Sequence, residues 1–431
     1  MKMKNLFKNV MLFAAVCAMS MGFTACSSDD DDNNSGNAEE AIYKDKTYGN
    51  QAIDACDNLA NQLVKANEVI GKSSLSAEQE EFLYKVLANV VDNVIVPTYT
   101  KLANDVEDLE NTLNGLTVSN ITQSQINKAC EDFKGARENW ERSEAFLGGA
   151  AADFDIDPTI DSWPLNRSLL LNYFTNGMND EMLEDATILG FHALEFILFR
   201  NGAPRKVSEF QTNDSYVGFT SITGAQELAY AQTICKLLKQ RCFQLQVSWE
   251  GETPANAGRM AEVKSANLKY QTVNGLSFGE NMKKAGISGG KSTFSSLKDA
   301  ISQLLSDDEG SCFGICNEVG TAKIANPFAN ADIAYVESPY SYNSITDFAD
   351  NIRSIRNIWL GSTDNSANSN SFHMFFASVN KNDVNQAVEG AYNTAITNIS
   401  NMPSPFVKYC SVVWGKSFDD PENWDSITEE E

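Results

Sequence analysis

Apolar residues recur through most of this chain at intervals of three and four, the period of a helix with one face turned to a core. From Gln51 to Ile70 they fall at Ile53, Cys56, Leu59, Leu63, Ala66 and Ile70, with polar residues between them. Ser76-x-x-Gln79 has the form of a capping box, in which the hydroxyl accepts from the third helical amide and the Gln side chain reaches back. It predicts a second helix through Phe82, Leu83, Val86, Leu87, Val90 and Val91, which Pro97 should kink or end before a helical pattern resumes from Tyr99 to Leu113. Thr122-x-x-Gln125 opens another helix through Phe133, Trp140 and Phe146. The stretch Ala150 to Arg167 is rich in Asp and Pro, and Asp157-Pro158 and Trp163-Pro164 call for extended or turn backbone. Helices are predicted again at about Asp180 to Arg200 and at Thr223 to Trp249.

Glu250 to Gly258 has the composition of a linker. Beyond it a second helical set is predicted: Ser292 to Leu305, a segment around Cys312 to Ile324, Ser344 to Leu360, Ser369 to Val379 and Val384 to Ile399. Alternation of period two is scarce, so the chain reads as all-α, with two four-helix-bundle-like domains over residues 41–250 and 259–416. Arg137-x-x-Trp140 and Arg356-x-x-Trp359 echo each other across the two halves.

The ends are different in kind. Lys2, Lys4 and Lys8 precede ten unbroken apolar residues from Val10 to Met19. That is about half of the ~20 a membrane-spanning helix needs, so residues 1–25 read as a signal peptide. Phe23-Thr24-Ala25-Cys26 then resembles a bacterial lipobox, which would make Cys26 the acylated first residue and the membrane, through that lipid anchor, a partner. Residues 26–40 form an acidic tether whose run Asp29 to Asp32 resembles a surface-export signal, and 417–431 form an acidic tail. The expected address is the cell envelope, as an outer-membrane lipoprotein on the periplasmic or the outer face.

With 33 basic and 58 acidic residues the formal charge is −25, which excludes a nucleic-acid partner. The six acids of the tether and the seven of the tail carry much of it. Without them and the three signal lysines, the folded body is left with about −15. Cysteine adds little. Beyond Cys17 and Cys26 seven remain, an odd and scattered set, and Cys312-x-x-x-Cys316 reads better as two buried thiols than as a bridge.

Two histidines, His192 and His373, limit the chemistry. Three-imidazole zinc sites are impossible, and the two-His helical protease motif is absent. His192 and Glu195 are three apart within an apolar helical run, so they share a face and can share a cation or a hydrogen bond. A two-His, one-Glu zinc site would need His373 as well, but that residue sits in the apolar Phe372-His373-Met374-Phe375-Phe376 and reads as a packed histidine. Gly289-Gly290-Lys291-Ser292 lacks the first glycine of a phosphate loop.

Three ordered blocks carry a wider likeness: Asn139 to Phe146, Asp157 to Pro164, and Gly190-Phe191-His192-Ala193-Leu194-Glu195. Together they resemble the imelysin family, whose Gly-x-His-x-x-Glu signature is matched at Gly190, His192 and Glu195. Asn317 to Gly320, Val336 to Tyr340 and Ile355 to Gly361 look like the imelysin-like lipoproteins of Bacteroidetes. The resemblance runs from about Ala41 to Lys416. It implies a bilobed helical fold with the signature near the interface of the lobes, an association with iron and iron-uptake components, and a family name taken from a peptidase activity. Trp140, Asp157 and Trp163 fall in its blocks, and Arg137 stands two residues ahead of the first. Adjacency of those blocks suggests Glu144 or Asp161 as further ligands beside His192 and Glu195. Such an N/O set suits a divalent metal: iron, or alternatively zinc or manganese. The expected function is therefore metal binding in iron uptake. A metallopeptidase, or a surface partner-binding protein whose His192 and Glu195 are purely structural, stands as the alternative.

Overall fold

The longest helices form where the apolar stripe is widest. Thr47–Lys72 buries Cys56, Leu59, Leu63, Ala66 and Ile70, the face that the spacing predicts. Both predicted capping boxes are made, Ser76 with Gln79 and Thr122 with Gln125, and a third, Thr223 with Gln226, opens Gly224–Glu250. Each answers two of the free amides at a helix start.

The computed structural model describes residues 38–177 and 185–416. The signal segment, Cys26, the run Asp29 to Asp32, the first residues of the helix predicted from Asp180, and the acidic tail lie outside the described residues. The described residues from Ala41 onward form one compact unit. Helices make up most of the described chain, with turns and loops between them; its one sheet is the hairpin of Phe199–Arg200 with Ala203–Pro204.

Pro97 does not end its helix. Ala77–Val90 passes into a π-helical turn, Val91–Ile95, and then directly into Val96–Leu113, with the proline in the first turn. The wider turn absorbs the hydrogen bond that proline cannot donate. The same device recurs at Val319–Ala325 ahead of Pro327, and there it carries Lys323 into the interior.

Val96–Leu113 packs against Gln123–Glu141 and Gly224–Glu250. Thr47–Lys72, though first in the chain, packs on Asn382–Ser400 and Cys312–Glu318, and Ser344–Leu360 bridges Asn382–Ser400 and Gln123–Glu141. The segment after Glu250 is an ordered turn, where the buried Asn256 amide donates to Glu250 at 2.9 Å and to the Gly251 carbonyl at 2.7 Å. Ala257–Ser265 then folds back on Gly224–Glu250. The seven described cysteines are all free and buried, Cys312 and Cys316 among them.

Candidate metal centre

His192 owes its position to a missing side chain. Gly190 starts the helix Gly190–Leu198 with φ +71°, and a Cβ there would lie 2.1 Å from the Ile160 carbonyl oxygen. Only glycine lets the helix start press against that backbone. The residue after Ile160 is Asp161, so the close approach delivers the imidazole to its carboxylate, with His192 Nε2 3.2 Å from Asp161 Oδ1.

The two ring nitrogens have different surroundings. Nδ1 faces Glu195 Oε2 at 3.4 Å, one helical turn on. Glu195 is itself fixed, because its Oε1 accepts from the amides of Tyr340 and Ser341 at 3.0 and 2.7 Å and from the Ser341 hydroxyl at 2.7 Å. Nε2 is buried and makes no hydrogen bond: Asp161 lies off the N–H direction, and Glu337 Oε1 is 3.8 Å away. Glu337 Oε2 is likewise buried without a hydrogen bond. Among the described residues, Asp161, His192 and Glu337 converge closely enough to hold one ion, and Glu141, Glu144 and Asp161 form an adjoining group.

Arg137 holds these carboxylates together. Its Nη1 pairs with Asp161, its Nη2 meets Glu141 and Glu337 at 2.5 Å each, and its Nε lies 3.5 Å from Asp347. Lys323 adds contacts of 3.1 Å to Glu337 and 3.9 Å to Glu141. Glu141, Glu144, Asp161, Glu337 and Asp347 are all buried, so five carboxyls face the two permanent cations. Buried charges left unmatched take up protons. Burial pushes the Glu141 and Glu144 carboxyls well above the usual range, with the nearby cations offsetting this only in part. It takes Asp347 up to about 7 despite Arg137, and Asp157 to about 7 with Asp161 and Glu318 repelling it. Asp161 is the exception, since Arg137 and then His192 outweigh burial and hold it well below the usual range. Burial and Arg137 both disfavour a charged His192, yet Asp161 and Glu195 carry it up to about 9. A metal taking Nε2 must displace that proton.

The residues singled out in the sequence thus assemble around one centre. The Trp140 indole donates to Asp161 Oδ2 at 2.6 Å, and Asp157 begins the short helix Asp157–Ile160 that leads to Asp161. Trp163 donates to the Tyr335 carbonyl at 3.3 Å and has Lys323 5.0 Å above its ring. Glu144 joins the group of Glu141 and Asp161, while Glu195 belongs to neither cation group. His373 is absent from both; its Nδ1 pairs with Glu389 and lies 3.0 Å from the Asn385 amide. A two-His zinc centre is not assembled. Glu337, Lys323 and Asp347 escaped the sequence reading. The available signal was a charged residue inside an otherwise apolar or helical stretch, as in Ala322-Lys323-Ile324-Ala325 and Val336-Glu337.

The centre opens on a narrow recess lined by Trp163, Leu165, His192, Val336 and Tyr340. Its free volume is about 20 Å³, enough for one water or one ion. Among the described residues no helix is long and apolar enough to cross a membrane.

The sequence profile of the family described as Imelysin matches residues 95–423. Iron-regulated protein A of Synechococcus elongatus is 24% identical over 279 residues, which span 64% of this chain and 64% of that relative's length. The crystal structure of a chain assigned as an iron-regulated protein A precursor, from Parabacteroides distasonis ATCC 8503, superposes with a TM-score of 0.58 at 23% identity, covering 79% of this chain and 95% of that one.

Proposed function

The chain belongs to the imelysin family, and from that premise we propose that it binds a single divalent cation, iron foremost, through His192 Nε2, Asp161 and Glu337. One observation carries this reading. A buried imidazole nitrogen without a hydrogen bond faces two carboxylates at the floor of an ion-sized recess. Metal-binding histidines commonly have the other ring nitrogen fixed by a carboxylate, which sets the ring and raises its basicity. Glu195, braced by Tyr340 and Ser341, meets Nδ1 in that way. In this assignment the Glu of the signature orients the ligand rather than being one.

The donor set of one imidazole and two carboxylates suits iron, manganese or zinc. When bound, the ion would supply the positive charge that Arg137 and Lys323 do not. Arg137 keeps Asp161 and Glu337 in place, and Trp140 turns Asp161 by holding its second oxygen. A peptidase would have to admit an extended chain to this centre, and a recess of about 20 Å³ does not. The names of the similar proteins, both iron-regulated protein A, favour iron. We assign the protein to iron capture at the cell envelope, anchored through a lipid on Cys26 and handing its cargo to uptake components.

Titration calorimetry with Fe(II), Mn(II) and Zn(II) tests the assignment. One saturable site is expected, lost in His192→Ala and weakened about 10–100-fold in Glu195→Gln, as for other residues that orient a ligand. No saturable binding, or binding unchanged in His192→Ala, would overturn it.

A further inference from the structure

Between Arg259 and Lys298 the chain carries seven bases and two acids, in a molecule with 33 bases and 58 acids overall. Two exposed turns lie in this stretch. In the first, the Gly275 amide donates to the Thr272 carbonyl and the Thr272 amide to the Leu276 carbonyl, both at 2.9 Å. That leaves Val273 at the tip, 95% exposed. In the second, the Ile287 amide donates to the Lys284 carbonyl at 3.1 Å and the Gly290 amide to the Ile287 carbonyl at 2.9 Å, and Ile287 is 47% exposed. The Asn274 side chain joins the two turns by donating to the Lys291 carbonyl at 3.0 Å.

Both turns are tied to the body. Thr272 is buried, and Gly286, at φ +70°, lies so close to the next segment that a Cβ there would stand 2.8 Å from Ser296 Cα. The apolar tips are therefore held outward by hydrogen-bonded backbone. Lysines surround them. Lys269 and Lys291 are exposed, and among the described residues neither ammonium has an ion-pair partner. A Cβ on Gly290 would lie 3.3 Å from Lys284 Cβ and 3.4 Å from Ile287 Cβ, so Lys284 flanks the second tip, its ammonium 2.8 Å from Glu280.

Scattered exposed apolar side chains are ordinary, but two on joined turns with lysines beside them form a surface of defined chemistry. A protein partner needs a complementary patch of about 800 Å² on each side, far more than two tips supply. A soluble polyanion would meet the lysines and leave Val273 in water. A bilayer asks for no matching shape: apolar tips enter the headgroup boundary while lysines meet lipid phosphates. We propose that these joined turns face the membrane, with Val273 and Ile287 in the headgroup layer of a bilayer containing anionic phospholipid and Lys269, Lys284 and Lys291 on its phosphates. The inference rests on the envelope reading above for the anchor alone. Residues 26–40, even fully extended, span about 50 Å, so an anchored body stays near the surface. Contacts too weak to recruit it from solution then suffice to orient it.

Hydrogen–deuterium exchange on the chain from Cys26, coupled through that thiol to a maleimide lipid in vesicles, tests this. The seven described cysteines are buried, so the coupling is selective. It supplies an anchor by chemistry, so a failure here leaves the native lipid and the metal site untouched. Amides of residues 272–276 and 286–290 are expected to exchange about fivefold more slowly on vesicles containing phosphatidylglycerol than on phosphatidylcholine alone, with no change around the exposed Val217. The slowing should vanish in Val273→Asp/Ile287→Asp and in Lys269→Glu/Lys291→Glu, all exposed positions that leave the core intact. Unchanged exchange at both turns on the anionic vesicles, equal slowing on the neutral ones or around Val217, or slowing kept in both double variants would overturn the proposal.

Discussion

Arg137→Met is expected to cost about 3–5 kcal/mol of folding stability, the range for removing one partner from a buried ion cluster. The side chain is fully buried and in contact with Asp161, Glu141, Glu337 and Asp347. Methionine fills much of the volume, so little of the loss comes from packing. It comes from four carboxyls left with Lys323 and His192 as their remaining positive neighbours. Arg137→Lys keeps the charge but loses the planar fork that reaches several carboxylates at once, and should recover only part of the loss. Urea denaturation of the three proteins measures it. Equal midpoints would mean that the cluster does not depend on its guanidinium.

Gly190→Ala is expected to do comparable damage by another route. An L-residue at φ +71° costs about 1–2 kcal/mol. The new methyl must also push back the Ile160 backbone, where overpacking of this kind costs about 1–3 kcal/mol more. The displacement moves Asp161 away from His192, so metal affinity should fall together with stability. A variant that kept both the urea midpoint and the affinity would show that the glycine is not what seats the imidazole.

Much of the helical frame was legible in the chain. Apolar spacing and two capping boxes located the helices, because burial of one face and satisfaction of the first amides are local requirements. Pro97 marked a break in the regular helix, but the π turn that carries the chain through it leaves no signature in residue order. The centre was legible in part. Gly190, His192, Trp140 and Asp161 stand in recognisable blocks, Arg137 in the Arg-x-x-Trp spacing that leads into the first of them, and the structure brings them together. Glu337 meets Arg137 across 200 residues of sequence, and Lys323 arrives on a second π turn, so neither could be tied to the centre by spacing. Glu195 shows the limit most clearly. Its position three residues after His192 places it on the same face, but the amides of Tyr340 and Ser341 that fix its role come from a distant segment.

The account rests on which ring nitrogen of His192 meets the ion. An anomalous difference map from crystals soaked in Mn(II), Fe(II) or Zn(II) decides it most directly. The expected result is a single peak at bonding distance, about 2.0–2.2 Å for a nitrogen ligand of such an ion, from His192 Nε2, with Asp161 and Glu337 beside it and Glu195 still on Nδ1. A peak on the Nδ1 side between His192 and Glu195, or no peak at the recess, would contradict it.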